Sequence, residues 1–231
     1  MELTVGATST ATRALEAHDL YRFYHSGEDE TLALRGVSLQ VDLGEMVALV
    51  GPSGSGKSTL LACLAGLDEP DGGYVVLRGQ RLTRRPEAER AAKRAAQVGI
   101  LLQSGNLLEH LSVEQNVELP MRLAGVFDAQ RRADLLARVG LHDRRRARPS
   151  ELSGGESARA GLAVALACGP TVVLADEPTG EVDVETEQHI LELFDAHRRS
   201  GGAVVIATHS DALSSYADRV VRLLDGRVIH D

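Results

Sequence analysis

The five apolar residues Met46 to Val50 run directly into Gly51-Pro52-Ser53-Gly54-Ser55-Gly56-Lys57-Ser58-Thr59, and the helix-prone stretch Leu60 to Leu67 follows. No other feature of the chain limits its fold so tightly. A strand, a glycine-rich turn and a helix fit the pattern G-x-x-x-x-G-K-[ST], and phosphate chemistry explains the residue types. Glycines let consecutive backbone N–H groups point into one concavity that side chains would obstruct. The helix N-terminus behind them adds partial positive charge. Lys57 is then placed to reach the β- and γ-phosphates of a nucleotide, and the Ser58 hydroxyl to hold Mg²⁺.

A second element is Thr171-Val-Val-Leu-Ala-Asp176-Glu177-Pro178, an apolar strand that delivers two carboxylates at its end. Hard Mg²⁺ prefers oxygen ligands and keeps much of its water, which suits Asp176. Glu177, one residue on, is placed to take a proton from an attacking water. An acidic helix start before Pro178 is the plainer alternative. The third element is Leu152-Ser153-Gly154-Gly155-Glu156. Ser153 and Glu156 form a capping box, which alone accounts for those two residues. Two adjacent glycines weaken a helix start for no structural gain, and they make sense if backbone there approaches another phosphate. The chain would then own two phosphate-cradling helix starts and one phosphate lysine, as if a nucleotide were completed by a second subunit.

Strand and helix signals alternate on both sides of a mostly helical stretch. Val37, Leu39 and Val41 alternate with polar neighbours, and Tyr74 to Leu77, Gly99 to Leu102, Thr171 to Ala175 and Ala203 to Ala207 read as further strands. Arg84 to Arg94 is helix-prone. Between about 104 and 157 come a helix capped by Ser112 and Gln115, which Pro120 is expected to end or kink, and a second over Asp128 to Val139. A third helix starts near Ser153 and runs to Cys168, and Asp225-Gly226 marks a closing hairpin. The pattern implies an α/β fold, a parallel sheet with helices on both faces, carrying a helical lobe. Residues 1–13, rich in Thr and Ala, read as a flexible tail.

Composition removes several function classes. The 231 residues carry a net charge of −8, the wrong sign for gripping nucleic acid. Aromatics are 3% of the chain with no Trp, which leaves little for stacking on single strands. Ala160 to Ala175 is uncharged for sixteen residues, yet Gly169-Pro170 interrupts it and it is shorter than a membrane span. The N-terminus lacks the pattern of a signal peptide. Cys63 and Cys168 stand in apolar surroundings without metal spacing and read as buried thiols of a reducing compartment. Arg144, Arg145, Arg146 and Arg148 read as a solvated loop, with an anion or partner site as the alternative.

In the order GPSGSGKST, Gln103, LSGGE, VVLADEPTG, Asp183, His209, the chain resembles the ATP-binding subunit of an ABC transporter over about residues 14 to 229. The run Val98 to Met121 is similar to the lipoprotein-release and macrolide-export (LolD/MacB-like) branch, which also includes FtsE-type subunits. The resemblance implies a P-loop NTPase (RecA-like) core with an N-terminal antiparallel β subdomain and an inserted α-helical subdomain. The core with its β subdomain would take residues 14–103 and 158–231, and the helical subdomain 104–157. It implies that Tyr24 stacks on adenine and that Gln103 contacts Mg²⁺ and the attacking water. Ser153, Gly154, Gly155 and Glu156 would close over the ATP of the opposite subunit. Asp183 would link the two sites, and His209 would contact the γ-phosphate.

The implied activity is ATP hydrolysis with ATP and Mg²⁺ as cofactors, by a dimer of this chain with itself or with a paralogous ATPase subunit. An integral membrane permease subunit of FtsX/MacB type would be driven at the cytoplasmic face of the membrane, for export or extraction. A regulatory ATPase that signals through its membrane partner without transport is the alternative. A DNA-repair ATPase is disfavoured by the acidic charge and the absence of a long coiled-coil insertion, and a small-molecule kinase would leave LSGGE without purpose. The chain departs from the family at Ser157 and Ala158, where glutamines are usual, and at Val164, where an arginine is usual. These changes touch the helix behind the LSGGE signature and leave the expected catalytic positions intact.

Overall fold

The strands Met46–Val50, Val172–Asp176 and Ala203–Ala207 are apolar at every position except Asp176, so a sheet built from them needs cover on both faces. A computed structural model of the chain describes residues 13–26, 29–180 and 182–229. Its larger sheet has six strands in the order β10 (Arg227–Ile229), β9 (Arg219–Leu224), β3 (Met46–Val50), β8 (Ala203–Ala207), β7 (Val172–Asp176) and β6 (Val98–Leu101). All neighbours run parallel apart from the β9–β10 hairpin. Its turn, Asp225-Gly226, has φ of +47° and +73°, the left-handed pair that an Asp-Gly hairpin turn favours.

Alternation along the strands divides the core in two. Val47, Leu49, Val172, Leu174 and Val205 face α1 (Lys57–Leu64) and a second sheet. Val173, Ala175, Val204 and Ile206 face the helices α3 (Val113–Leu123), α4 (Ala129–Arg138), α5 (Gly154–Leu166), α6 (Val184–Arg199) and α7 (Asp211–Tyr216). The polar helix α2 (Glu87–Gln97) has no buried residue and leads into β6. The second sheet is antiparallel, in the order β2 (Asp29–Asp42), β1 (Arg13–Ser26), β4 (Gly72–Leu77) and β5 (Gln80–Arg81). The architecture is the expected one: a P-loop core, an antiparallel sheet and a helical insert.

Strand β1 opens at Arg13, which the sequence had put in the tail; residues 1–12 of that tail lie outside the described residues. The strand carries no clean alternation because its register shifts around Asp19, where φ is +47°. Pro120 lies inside α3 and does not end it, since Val113, Val117 and Met121 bury one face on either side of the ring. The arginine loop is anchored on one side: Arg144 pairs with Glu156 at 3.2 Å, and Arg145 donates to the His142 carbonyl at 2.9 Å. Cys63 is buried, with its thiol pushed up to about 12 by desolvation, and Cys168 is half-buried; both are free. Among the described residues, no helix is long and apolar enough to cross a membrane.

Candidate functional site

The turn after β3 tolerates no side chain at two of its glycines. A Cβ on Gly51 would stand 2.1 Å from the Leu223 carbonyl oxygen, and one on Gly56 would stand 2.6 Å from that of Ala33. Gly56 also holds φ at +102° as the N-cap of α1. That cap offers no side-chain acceptor, and the first turn of α1 has no acidic residue. The starts of α3, α4, α5 and α6 differ, since Ser112, Asp128, Ser153 and Asp183 cap them. The first N–H groups of α1 thus have no side chain to satisfy them and point, with the positive helix end, at an anion site. Lys57 Nζ donates to the carbonyls of Gly51 at 2.8 Å and Pro52 at 3.1 Å, so the ammonium spans the turn.

The turn forms the floor of a cleft of about 730 Å³ that collects the C-terminal ends of the parallel strands. β7 supplies Asp176 and Glu177, and the segments beyond β6 and β8 supply Gln103 and His209. Tyr24 of β1 and Ser53, Gly54, Ser58 and Thr59 of the glycine turn and α1 line it as well. Ser55 of that turn does not line the cleft: it is buried, and among the described residues its hydroxyl has no hydrogen-bond partner. Its carbonyl accepts from the Gly226 N–H at 3.0 Å, and Gly226 accepts from the Arg35 N–H at 2.7 Å. The hairpin turn and β2 are therefore stitched to the glycine turn. Ala33, Arg35, Asp225 and Gly226 line the cleft without any motif announcing them; the Asp-Gly pair was legible as a turn and not as a wall.

Glu177 sits at φ +47°, a left-handed conformation that costs a non-glycine residue about 1 kcal/mol or more. Its N–H donates to the Ala207 carbonyl at 2.9 Å, which fixes the turn. One carboxylate oxygen lies 2.9 Å from His209 Nδ1, and the other is 3.4 Å from both the Thr208 hydroxyl and the His209 N–H. The carboxylate is mostly covered while the imidazole is three-quarters exposed, at 75%. A largely covered carboxylate beside an exposed histidine, above an anion cradle, can activate a water against a phosphorus atom.

Ser153, Gly154, Gly155, Glu156 and Asp183 are absent from this cleft. Ser153 caps α5, receiving the Glu156 N–H at 3.2 Å, while the Glu156 carboxylate receives the Ser153 N–H at 2.8 Å. That bond, with Arg144 nearby, holds the Glu156 carboxyl below its ordinary range. Gly155 has a packing reason of its own: its Cβ would lie 2.7 Å from the Thr186 hydroxyl. The expectation that both glycines lack structural purpose therefore fails for Gly155. Asp183 caps α6, and the N–H and hydroxyl of Thr186 lower its pKa. Ser153 and Gly154 are exposed. A separate hollow of about 250 Å³ brings Gly154, Ser157 and Ala158 beside Gln103 and Glu177. Val164 packs against the helix-side core, and Arg159 ties α5 to the Val139 carbonyl and to Thr186.

Residues 34–180 match the sequence profile of the ABC transporter family. The chain belongs to that family. It is 42% identical over 221 residues to the lipoprotein-releasing system ATP-binding protein LolD of Geobacter metallireducens, covering 94% of this chain and 98% of LolD. It is 41% identical over 220 residues to the macrolide export ATP-binding/permease protein MacB of Hyphomonas neptunium, covering 94% of this chain and 34% of MacB. The ATP-binding cassette MJ0796, solved as a dimer in a post-hydrolysis state with ADP and Pi, superposes with a TM-score of 0.88 at 32% identity. That alignment covers 94% of this chain and 97% of MJ0796. This ABC protein is an ATP-binding, ATP-hydrolysing motor subunit of a transporter.

The donor set fits a magnesium ion that arrives with its nucleotide. Among the described residues no group of three or more His, Cys, Asp or Glu could hold a metal alone. A hydroxyl, one carboxylate and an amide at the cleft suit an ion that takes its other ligands from phosphates and water.

Proposed function

We propose that two copies of this chain close around two ATP molecules, each lying between the glycine turn of one copy and Ser153-Gly154 of the other. We further propose that closure drives an FtsX/MacB-type permease subunit at the cytoplasmic face of the membrane, for export or membrane extraction as the names of LolD and MacB suggest. One observation carries this reading: the cleft holds the cradle, the carboxylates and the histidine, while a second exposed helix start with a serine-glycine pair lies outside it. An open single copy lacks donors on one side of the triphosphate.

In this reading Tyr24 stacks on adenine, and the N–H groups of Gly51 to Thr59 with Lys57 bind the phosphates. Ser58, Asp176 and Gln103 hold Mg²⁺, which neutralises charge on the phosphates when bound. Glu177 accepts a proton from the attacking water as its oxygen bonds to phosphorus and the bond to ADP breaks. His209 orients the Glu177 carboxylate through Nδ1 and faces the γ-phosphate. Asp183, capping α6 next to Gly155, ties the opposite signature to the local site. The helical subdomain, residues 104–157, carries movement to the permease, with Gln103 at its root; residues 14–103 and 158–231 form the nucleotide-binding core with its β subdomain.

The test uses Ser153→Arg in a Glu177→Gln background. Glu177→Gln with ATP should elute as a dimer, and adding Ser153→Arg should abolish the dimer while leaving the ATP affinity of the single copy unchanged. Equal dimerisation with arginine at position 153, or loss of ATP binding by the monomer, would refute the composite site.

A further inference from the structure

We infer that Asp68 and Arg22 are positioning residues for Tyr24, holding the base platform against the C-terminal end of α1. The inference rests on the reading of Tyr24 as that platform.

The eight residues of α1 rise about 12 Å, from Lys57 in the cradle to Leu64. Leu60, Leu61, Cys63 and Leu64 are buried, so the helix is held by the core along its length. Its C-terminus closes tightly: Gly66, at φ +67°, donates to the Cys63 carbonyl at 3.0 Å, and Leu67 to that of Ala62 at 2.9 Å. The Asp68 N–H bonds to the same Ala62 oxygen at 3.1 Å, which fixes this residue to the last turn.

From that anchor Asp68 reaches across to β1. Its Oδ2 accepts from the Tyr24 hydroxyl at 2.8 Å and from Arg22 Nε at 2.8 Å. Arg22 Nη1 bonds to Asp71 at 3.1 Å, and the same Asp71 oxygen accepts the Phe23 N–H at 2.8 Å. The guanidinium carbon lies 4.7 Å from the centre of the Tyr24 ring. The cation stands over one face of the ring, and Arg22, unlike Tyr24, does not line the cleft. The other face is left for a base. Burial and the Asp68 carboxylate raise the Tyr24 pKa, in line with a neutral phenol that donates this bond. A tyrosine that is 40% exposed would otherwise sample several rotamers, and binding would have to order it. The tether removes that cost before the nucleotide arrives.

Calorimetric titration of the full chain with Mg-ATP, and in parallel with inorganic tripolyphosphate, separates the two ends. Tyr24→Phe and Asp68→Ala should each weaken ATP roughly three- to tenfold and leave tripolyphosphate unchanged. The double variant should be no weaker than either single one, and Asp68→Asn, which keeps an acceptor, should recover part of the loss. Tyr24→Phe removes a single oxygen from an exposed side chain, so it decides the matter if Asp68→Ala does not fold. If Tyr24→Ala binds ATP like the parent, the platform reading itself fails. If Tyr24→Ala weakens ATP while Tyr24→Phe does not, the tether has no role. Equal losses for ATP and tripolyphosphate in Asp68→Ala would make Asp68 merely structural.

Discussion

Gly155 at the start of α5 lies so close to Thr186 at the start of α6 that a Cβ on the glycine would stand 2.7 Å from the threonine hydroxyl. Thr186 is buried and cannot easily turn aside, because its hydroxyl donates to Asp183 at 3.0 Å and accepts from Arg159 at 3.3 Å. The signature helix and the Asp183 cap are thus one packed unit. Gly155→Ala should destabilise the protein by about 1 kcal/mol, overpacking outweighing the helix propensity gained. In a Thr186→Ala background the nearest remaining atom is the Thr186 Cβ at 3.5 Å, an ordinary contact, and the same change should become neutral or stabilising. Denaturant titration of the four proteins measures the sign, and an unchanged sign in the two backgrounds would remove the coupling.

Glu177 is strained at φ +47°, and both its carboxylate oxygens meet His209, one at Nδ1 and the other at the backbone N–H. Replacing the acid by its amide keeps shape and hydrogen bonding capacity but cannot take a proton. Glu177→Gln should lower turnover about 10²- to 10⁴-fold with ATP affinity within about twofold. Steady-state phosphate release and nucleotide titration give the two values. A turnover within tenfold of the parent would assign the proton to another group.

His197, near the end of α6, is buried 8% exposed, and desolvation with Arg138 nearby lowers its pKa from 6.5 to about 4. The folded state therefore keeps it neutral, whereas the unfolded chain protonates it below pH 6.5. Stability from this group is whole above pH 6.5 and falls as pH drops towards 4, by up to about 3 kcal/mol. Unfolding free energies measured across that window should slope downward with acid. His197→Gln, which cannot titrate, should flatten the slope; an identical slope in the variant would mean that other groups carry it.

The cradle was legible because its chemistry is local: strand, glycines and lysine are contiguous, and the sequence names Lys57, Ser58, Asp176 and Glu177 without help from the fold. The capping boxes at Ser112 and Ser153 were legible for the same reason, since each is complete within four residues. Strand β1 was not, because the bulge at Asp19 breaks its alternation. Asp68 and Thr186 were invisible because their partners, Tyr24 and Gly155, stand far off in sequence. The Gly155 error has the same source: a close approach between two helices leaves no trace in either segment alone.

Gly226 offers the sharpest test of how far the cradle extends. It lies in the β9–β10 turn, about 170 residues from the phosphate loop, yet its Cβ would stand 2.6 Å from the same Ala33 oxygen that Gly56 crowds. The Ala33 carbonyl is therefore pinched between the turn that opens α1 and the turn that closes the sheet. Gly226→Ala must push β2 or the hairpin outward, and with it the Gly226 N–H that bonds to the Ser55 carbonyl at 3.0 Å. Gly79 supplies a matched control, since it shares φ +73° and, among the described residues, nothing stands within 4 Å of its Cβ. Both substitutions incur left-handed strain of about 1 kcal/mol, and only Gly226→Ala adds a backbone collision. Gly226→Ala should weaken ATP roughly tenfold or more while Gly79→Ala leaves the affinity unchanged. Parallel ATP titrations read the difference, and equal affinities in the two variants would detach the hairpin from the nucleotide site.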